Sequence, residues 1–117
     1  MQYVDILALK SEFMRVLAHP LRIGIVEILG EKKMSVGEIC ELLNKEQATV
    51  SKHLGVLKNG GILKSEKSGL NVFYSVDICC LPNFLECLKN ILEEKAEDLK
   101  EEYIKMYNDN NLDSDIS

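Results

Sequence analysis

The sequence predicts a mainly α fold completed by one small β-hairpin. Three observations carry that expectation. Apolar residues recur at helical spacing along most of the chain. One stretch, residues 62–76, reads instead as two short β-rich runs around a Ser68-Gly69 turn signal. The balance of 46% hydrophobic and 28% charged residues over 117 positions is ordinary for one folded domain. No apolar run approaches the roughly 18 residues of a membrane span. No leader-like segment opens the sequence either, so a cytoplasmic protein is expected.

A first helix is expected from Tyr3 to about Ala18, with Ile6, Leu9, Phe13, Val16 and Leu17 in register. His19-Pro20 ends it, because the residue before proline avoids the α region. Pro20 suits the first turn of a second helix, Leu21 to Leu29, which Gly30 stops. Ser35-Val36-Gly37-Glu38 fits a capping box, in which hydroxyl and carboxylate satisfy orphan amides reciprocally. The third helix it opens carries a stripe of Val36, Ile39, Leu42 and Leu43. Asn44-Lys45-Glu46 is a short polar turn. A fourth helix, Gln47 to Asn59, turns Ala48, Val50, Leu54 and Leu57 inward. Gln47, Thr49, Ser51, Lys52, His53 and Lys58 supply its polar surface, and Gly60-Gly61 stops it. Strands over Ile62–Lys67 and Asn71–Val76 follow. One long last helix, Pro82 to about Tyr107, has Leu81, Leu85, Leu88, Leu92, Leu99, Tyr103 and Met106 along one face. That face is too long for one small chain to cover, which points to a homodimer. Residues 1–108 then form one domain, and 109–117 a polar, acidic tail expected to be disordered.

The net charge of −5 argues against a nucleic-acid partner, but its distribution argues for one. Residues 44–70 carry +3, whereas residues 86–117 carry −6. Local charge, not the total, meets a phosphate. Two short helices joined by a tight turn and followed by a basic hairpin make a winged helix-turn-helix. The second helix of the pair fits the major groove of B-DNA, braced by the first. Gln47, Thr49 and Ser51 then approach bases, and Lys52, Lys58, Lys64 and Lys67 meet phosphates. The competing reading is a solvated helix face on an interaction module with no DNA partner. No Gly-rich phosphate loop, nucleophile elbow or paired-carboxylate cleft points to an enzyme.

The run Gln47-Ala48-Thr49-Val50-Ser51-Lys52-His53-Leu54-Gly55-Val56-Leu57, then Gly60-Gly61-Ile62-Leu63, Gly69 and Phe73-Tyr74, resembles the ArsR/SmtB family of metal- and metalloid-responsive repressors. Leu17-Ala18-His19-Pro20-Leu21-Arg22-Ile23 is similar to that family's second-helix opening. The likeness covers about residues 10–80. It implies a homodimer built from the first and last helices. The partner is a double-stranded DNA operator, an imperfect palindrome, released when an inducer binds. The sequence departs from the family at Glu46, Ala48, Gly24 and Leu70; Leu70 stands after Gly69 where a wing arginine is common. His53 fits two roles, a hydrogen-bonding structural residue or, through the family motif, a DNA backbone contact. His19 reads as a helix-junction residue.

The inducer turns on Cys40, Cys79, Cys80 and Cys87. The family's third-helix thiolate pair falls on Ser35 and Gly37, so that site is missing, and Cys40 reads as a core residue. The family's last-helix zinc pattern would place ligands at Asp77, Cys79, Asn90 and Glu93, with no histidine near. What remains is Cys79, Cys80 and Cys87. Adjacent thiols beside a helix start favour thiolate, and soft thiolates suit soft ions. Some arsenite-responsive family members resemble this arrangement, which implies arsenite or antimonite as inducer. A thiol redox or persulfide sensor using the same residues is the alternative, and small packing residues are the plainest reading. One ideal helix would separate Cys80 from Cys87 by about 10 Å along its axis. The turn bearing Cys79 and Cys80 would have to fold back to bring the thiols together.

Overall fold

The computed structural model describes residues 1–109. Helix α1 spans Tyr3–Leu17 and α2 Pro20–Leu29. A two-residue strand, β1, Met34–Ser35, leads into α3, Val36–Leu43, and α4, Gln47–Asn59. Strands β2, Leu63–Ser68, and β3, Asn71–Val76, form the hairpin. Two helices close the described chain, α5, Leu81–Glu94, and α6, Ala96–Asp109. The expected acidic tail beyond Asp109, and the side chain of Leu99, lie outside the described residues.

Local chemistry sets most boundaries. His19 is the N-cap of α2; its Nδ1 accepts a hydrogen bond from the Leu21 amide at 3.1 Å. Pro20 follows at the first helical position, where its missing N–H costs nothing. At α3 the capping box is complete: the Glu38 amide donates to Ser35 Oγ at 3.2 Å, and the Ser35 amide donates to Glu38 Oε1 at 3.0 Å. The Ser35 amide first, and the Ser35 hydroxyl after it, hold the Glu38 carboxyl below its ordinary range. Helix α3 ends in a Schellman motif, with Asn44 left-handed (φ 54°), its amide on Glu41 O and the Lys45 amide on Cys40 O.

The core joins the three central helices to the base of the hairpin. Leu21, Ile25, Val26 and Leu29 of α2, Ile39 of α3, and Val50, Leu54 and Leu57 of α4 are buried together with Ile62, Leu63, Leu81 and Leu85. Helix α1 reaches this core through buried Val16 and Leu17, with Phe13 packed against it. Gly60 makes that approach possible, because a Cβ there would stand 2.6 Å from Val16 Cγ1.

Three expectations need correction. The hairpin is one part of a three-stranded antiparallel sheet in the order β1-β3-β2, with Met34 opposite Tyr74 and Ser35 opposite Phe73. A two-residue strand has no periodicity to read, and its partner lies far along the chain. The long last helix is two helices, broken at Lys95 (φ −99°, ψ 5°). No glycine or proline sits there. Helix α6 turns so that Tyr107 approaches Ala18, His19, Pro20, Ile23 and Gly24 at the start of α2. Ala48, expected inward, is exposed.

Candidate nucleic-acid interface

The interface is built on the two faces of α4. Val50, His53, Leu54 and Leu57 are buried, at the i, i+3, i+4, i+7 spacing of one helix face. The opposite face therefore points to solvent with Gln47, Ala48, Ser51, Lys52 and Lys58 exposed, while Thr49 is half-buried at its border. Helix α3 and the three-residue turn after it fix the N-terminal end of α4. At its C-terminal end Gly61 takes φ 81°, and the Ile62 amide donates to Leu57 O at 2.9 Å. The chain thus leaves the helix directly into β2, and the hairpin's position follows that of α4.

The site expectations meet this geometry unevenly. Gln47, Ser51, Lys52 and Lys58 share the exposed side of α4. Lys64 and Lys67 are exposed on the hairpin, but an odd separation puts them on opposite faces of the ribbon. Lys64 Nζ lies 3.9 Å from Asp77 Oδ1. Glu66 accepts a hydrogen bond from Lys33 at 2.8 Å, and that ammonium holds its carboxyl below the ordinary range.

His53 is corrected out of the DNA-facing set. It is 1% exposed, and its ring stacks on that of His19 with centroids 4.4 Å apart and planes tilted by 35°. The two histidines, one at the start of α2 and one in the middle of α4, therefore form an internal joint. The helical period had the signal, since position 53 falls with 50, 54 and 57 on the inner face; polarity concealed it. Gly55 was missed. It lies on the outer side one turn after Ser51, and a Cβ there meets nothing within 4 Å. The protein's own packing does not require a glycine at this point.

The cysteines do not assemble. Cys40 is half-buried on α3, whereas Cys79, Cys80 and Cys87 are exposed. Cys79 and Cys80 form the turn before α5, with Cys80 as its N-cap, and Cys87 lies within the helix. Among the described residues no group of three His, Cys, Asp or Glu side chains is placed to hold a metal ion. The predicted three-thiol site is thus not formed within one chain: sequence proximity across a helix start is not spatial convergence.

A braced outward helix with a hairpin at its end defines a winged helix-turn-helix regulator of the DNA-binding kind. Comparison with known proteins agrees. The family described as a helix-turn-helix domain matches residues 17–66. The uncharacterized HTH-type transcriptional regulator Rv0081 of Mycobacterium tuberculosis is 34% identical over 91 residues, 77% of this chain and 80% of that protein. Its crystal structure superposes with a TM-score of 0.69 at 31% identity, over 84% of this chain and 97% of the other. The HTH-type transcriptional repressor SmtB of the same organism is 41% identical over 70 residues, 60% of this chain and 52% of that protein. The solution structure of Mb0332 from Mycobacterium bovis, a homodimeric winged helix-turn-helix DNA-binding domain, gives a TM-score of 0.71 over 80% of this chain and 87% of the other; at 20% identity it shows the fold alone. The chain belongs to the ArsR/SmtB family of winged-helix transcriptional regulators. It is a DNA-binding regulator, not an enzyme.

His53→Ala is expected to cost about 2–4 kcal/mol, as large-to-small core changes do, and to lower the thermal midpoint by several degrees. The variant that remains folded should keep DNA affinity. Thermal unfolding by circular dichroism beside fluorescence anisotropy checks this; an unchanged midpoint with weakened binding would return His53 to the DNA-facing set.

Proposed function

We propose that the protein is a homodimeric transcriptional repressor that binds an imperfect palindrome in double-stranded DNA and leaves it when an inducer binds. The observation that carries this reading is the division of α4. Its apolar side is committed to the core, which leaves Gln47, Ser51, Lys52 and Lys58 presented together on a rigid rod. A helix of about 10–12 Å diameter fits a major groove about 12 Å wide. In this reading Gln47, Thr49 and Ser51 approach base edges. Lys52, Lys58, Lys64 and Lys67 meet phosphates, with Lys64 exchanging Asp77 for the DNA backbone. The dimer reading is supported by exposed apolar residues on two helices: Tyr3, Val4, Leu7 and Met14 on α1, and Phe84, Leu88, Ile91 and Leu92 on α5. A two-fold axis between such helices would set two copies of α4 about one helical turn of DNA apart. Among the described residues no helix is long and apolar enough to cross a membrane. A repressor works where the DNA is, which supports a cytoplasmic location.

Lys52→Ala is expected to weaken binding to every duplex and to reduce the slope of log K against log salt by about one charge. Gln47→Ala should mainly relax sequence choice. Fluorescence anisotropy on specific and random duplexes separates the two; unchanged affinity and slope for Lys52→Ala would refute this placement of α4.

The inducer reading is a thiophilic species, arsenite or antimonite, taken by Cys79, Cys80 and Cys87. Its support is chemical: all three thiols are exposed, and no histidine stands beside them to complete a tetrahedral zinc set. It requires the turn at Cys79-Cys80 to rearrange, or thiols of two chains to combine. Under full reduction, arsenite should release the wild type from DNA and zinc should do so poorly. Replacing Cys79, Cys80 and Cys87 together by Ser should abolish that release and spare DNA binding, whereas Cys40→Ser keeps both. A normal arsenite response in the triple variant would defeat the assignment; release by a thiol oxidant but not by arsenite would make this a redox sensor.

A further inference from the structure

The end of α6 lies close to α4. Tyr107, two residues before the helix ends at Asp109, lines one cavity with Ala18, His19 and Pro20 at the start of α2. Arg22, in the first turn of α2, is near enough for its charge to act on the Tyr107 phenol. The His19 ring lies 4.4 Å from the ring of His53, and Lys52 is the residue before His53 on α4. One pair of stacked rings thus separates the place where α6 ends from the middle of α4. Lys52 itself is exposed on the outer side of that helix.

Charge decides where the chain beyond Asp109 is drawn. Residues 110–117 carry Asp113 and Asp115 and no basic side chain. They continue a segment of net charge −6, residues 86–117, whereas residues 44–70, which include α4, carry +3. Asp113 and Asp115 stand four and six residues past Asp109. Extended chain therefore carries them at most about 14 and 21 Å from the end of α6. A helix with its side chains is about 10–12 Å across, so this reach passes round α4 from the His53 side to Lys52. A tether of this length holds the carboxylates at a local concentration on the order of millimolar.

We propose that the segment bearing Asp113 and Asp115 folds back on its own chain's α4, pairs with Lys52 when DNA is absent, and is displaced when a phosphate takes its place. The surface is the outer side of α4, and its occupant is this chain's own C-terminal segment. This rests on the DNA-binding reading above and adds an internal competitor to it. Because the pairing stabilises the free protein, it lowers affinity for every duplex by the same factor. That factor shrinks as salt screens the exposed charges.

The test begins with the full chain free of DNA. A carbodiimide joins a carboxylate to an amine only where the two already touch. It should link Asp113 or Asp115 to Lys52, read by peptide mass spectrometry, and a duplex enriched from a random pool by the wild-type protein should suppress the link. Asp113→Asn with Asp115→Asn should remove the link and bind that duplex about fivefold tighter in fluorescence anisotropy at low salt, the scale of exposed ion pairs. The gain should fade as salt rises. In a Lys52→Ala background the same two substitutions should change nothing. Glu101→Gln with Glu102→Gln, an equal loss of charge at exposed positions of α6, should leave affinity unchanged. An equal gain from that control, or a gain undiminished by Lys52→Ala, would reduce the effect to net charge and overturn the proposal. In a mixture of light and isotope-labelled chains, links only between chains of different label would overturn the assignment to the chain's own α4. Absence of the link with affinity unchanged by the two Asn substitutions would overturn the proposal while leaving the DNA reading intact. Failure of wild type and variant alike to bind any duplex would overturn the DNA reading and the competition together.

Discussion

The structure depends on how firmly α4 is held by its inner face. Val50, Leu54 and Leu57 are fully buried in the core, and His53 among them stacks on His19, the N-cap of α2. Burial of this face fixes the rotation of the helix about its own axis. A turn of 100° would put Ser51, Gly55 and Lys58 where Val50, Leu54 and Leu57 now sit, leaving a charged group in an apolar interior at a cost of several kcal/mol. The polar face is thus outward because the apolar face has one place to go. The histidine pair joins the start of α2 to the middle of α4, so orientation passes between the two helices through side chains rather than through the loop.

The second constraint is the rigid exit from α4. Gly60 lets Val16 of α1 pack close, and Gly61 in a left-handed conformation closes the helix into β2. β1 then pairs with β3 on the sheet edge away from β2, and Lys33 reaches the hairpin at Glu66. The hairpin is tied both to the end of α4 and to the loop after α2. An exposed ion pair contributes little stability. Its physical effect is local: it occupies the Glu66 carboxylate, while Asp77 stands 3.9 Å from Lys64.

Much of this was legible in the residues because local chemistry decided it. His19-Pro20, the Ser35/Glu38 box and Gly60-Gly61 each mark a boundary through a hydrogen bond or a backbone preference, and the observed helices begin or end within a residue or two of them. What was not legible is non-local. β1 exists only because β3 comes back to it. The break at Lys95 lies in a run of good helix formers, and beyond it Tyr107 lines a cavity with residues at the start of α2. His53 was assigned by polarity although its position placed it inside. The thiols illustrate the converse error: Cys79, Cys80 and Cys87 are close in sequence, but a helix start spreads them along its axis.

The central claim is that two copies of α4, held by this core, read successive major grooves on one side of a duplex. Hydroxyl-radical footprinting with guanine N7-methylation interference, on a duplex selected by the wild-type protein, tests it most directly. The account predicts protection confined to one side of the duplex. The two interference sites should be centred about 10–10.5 base pairs apart, or a multiple of that spacing. Protection without interference from N7 methylation, or a single unpaired protected site, would contradict it.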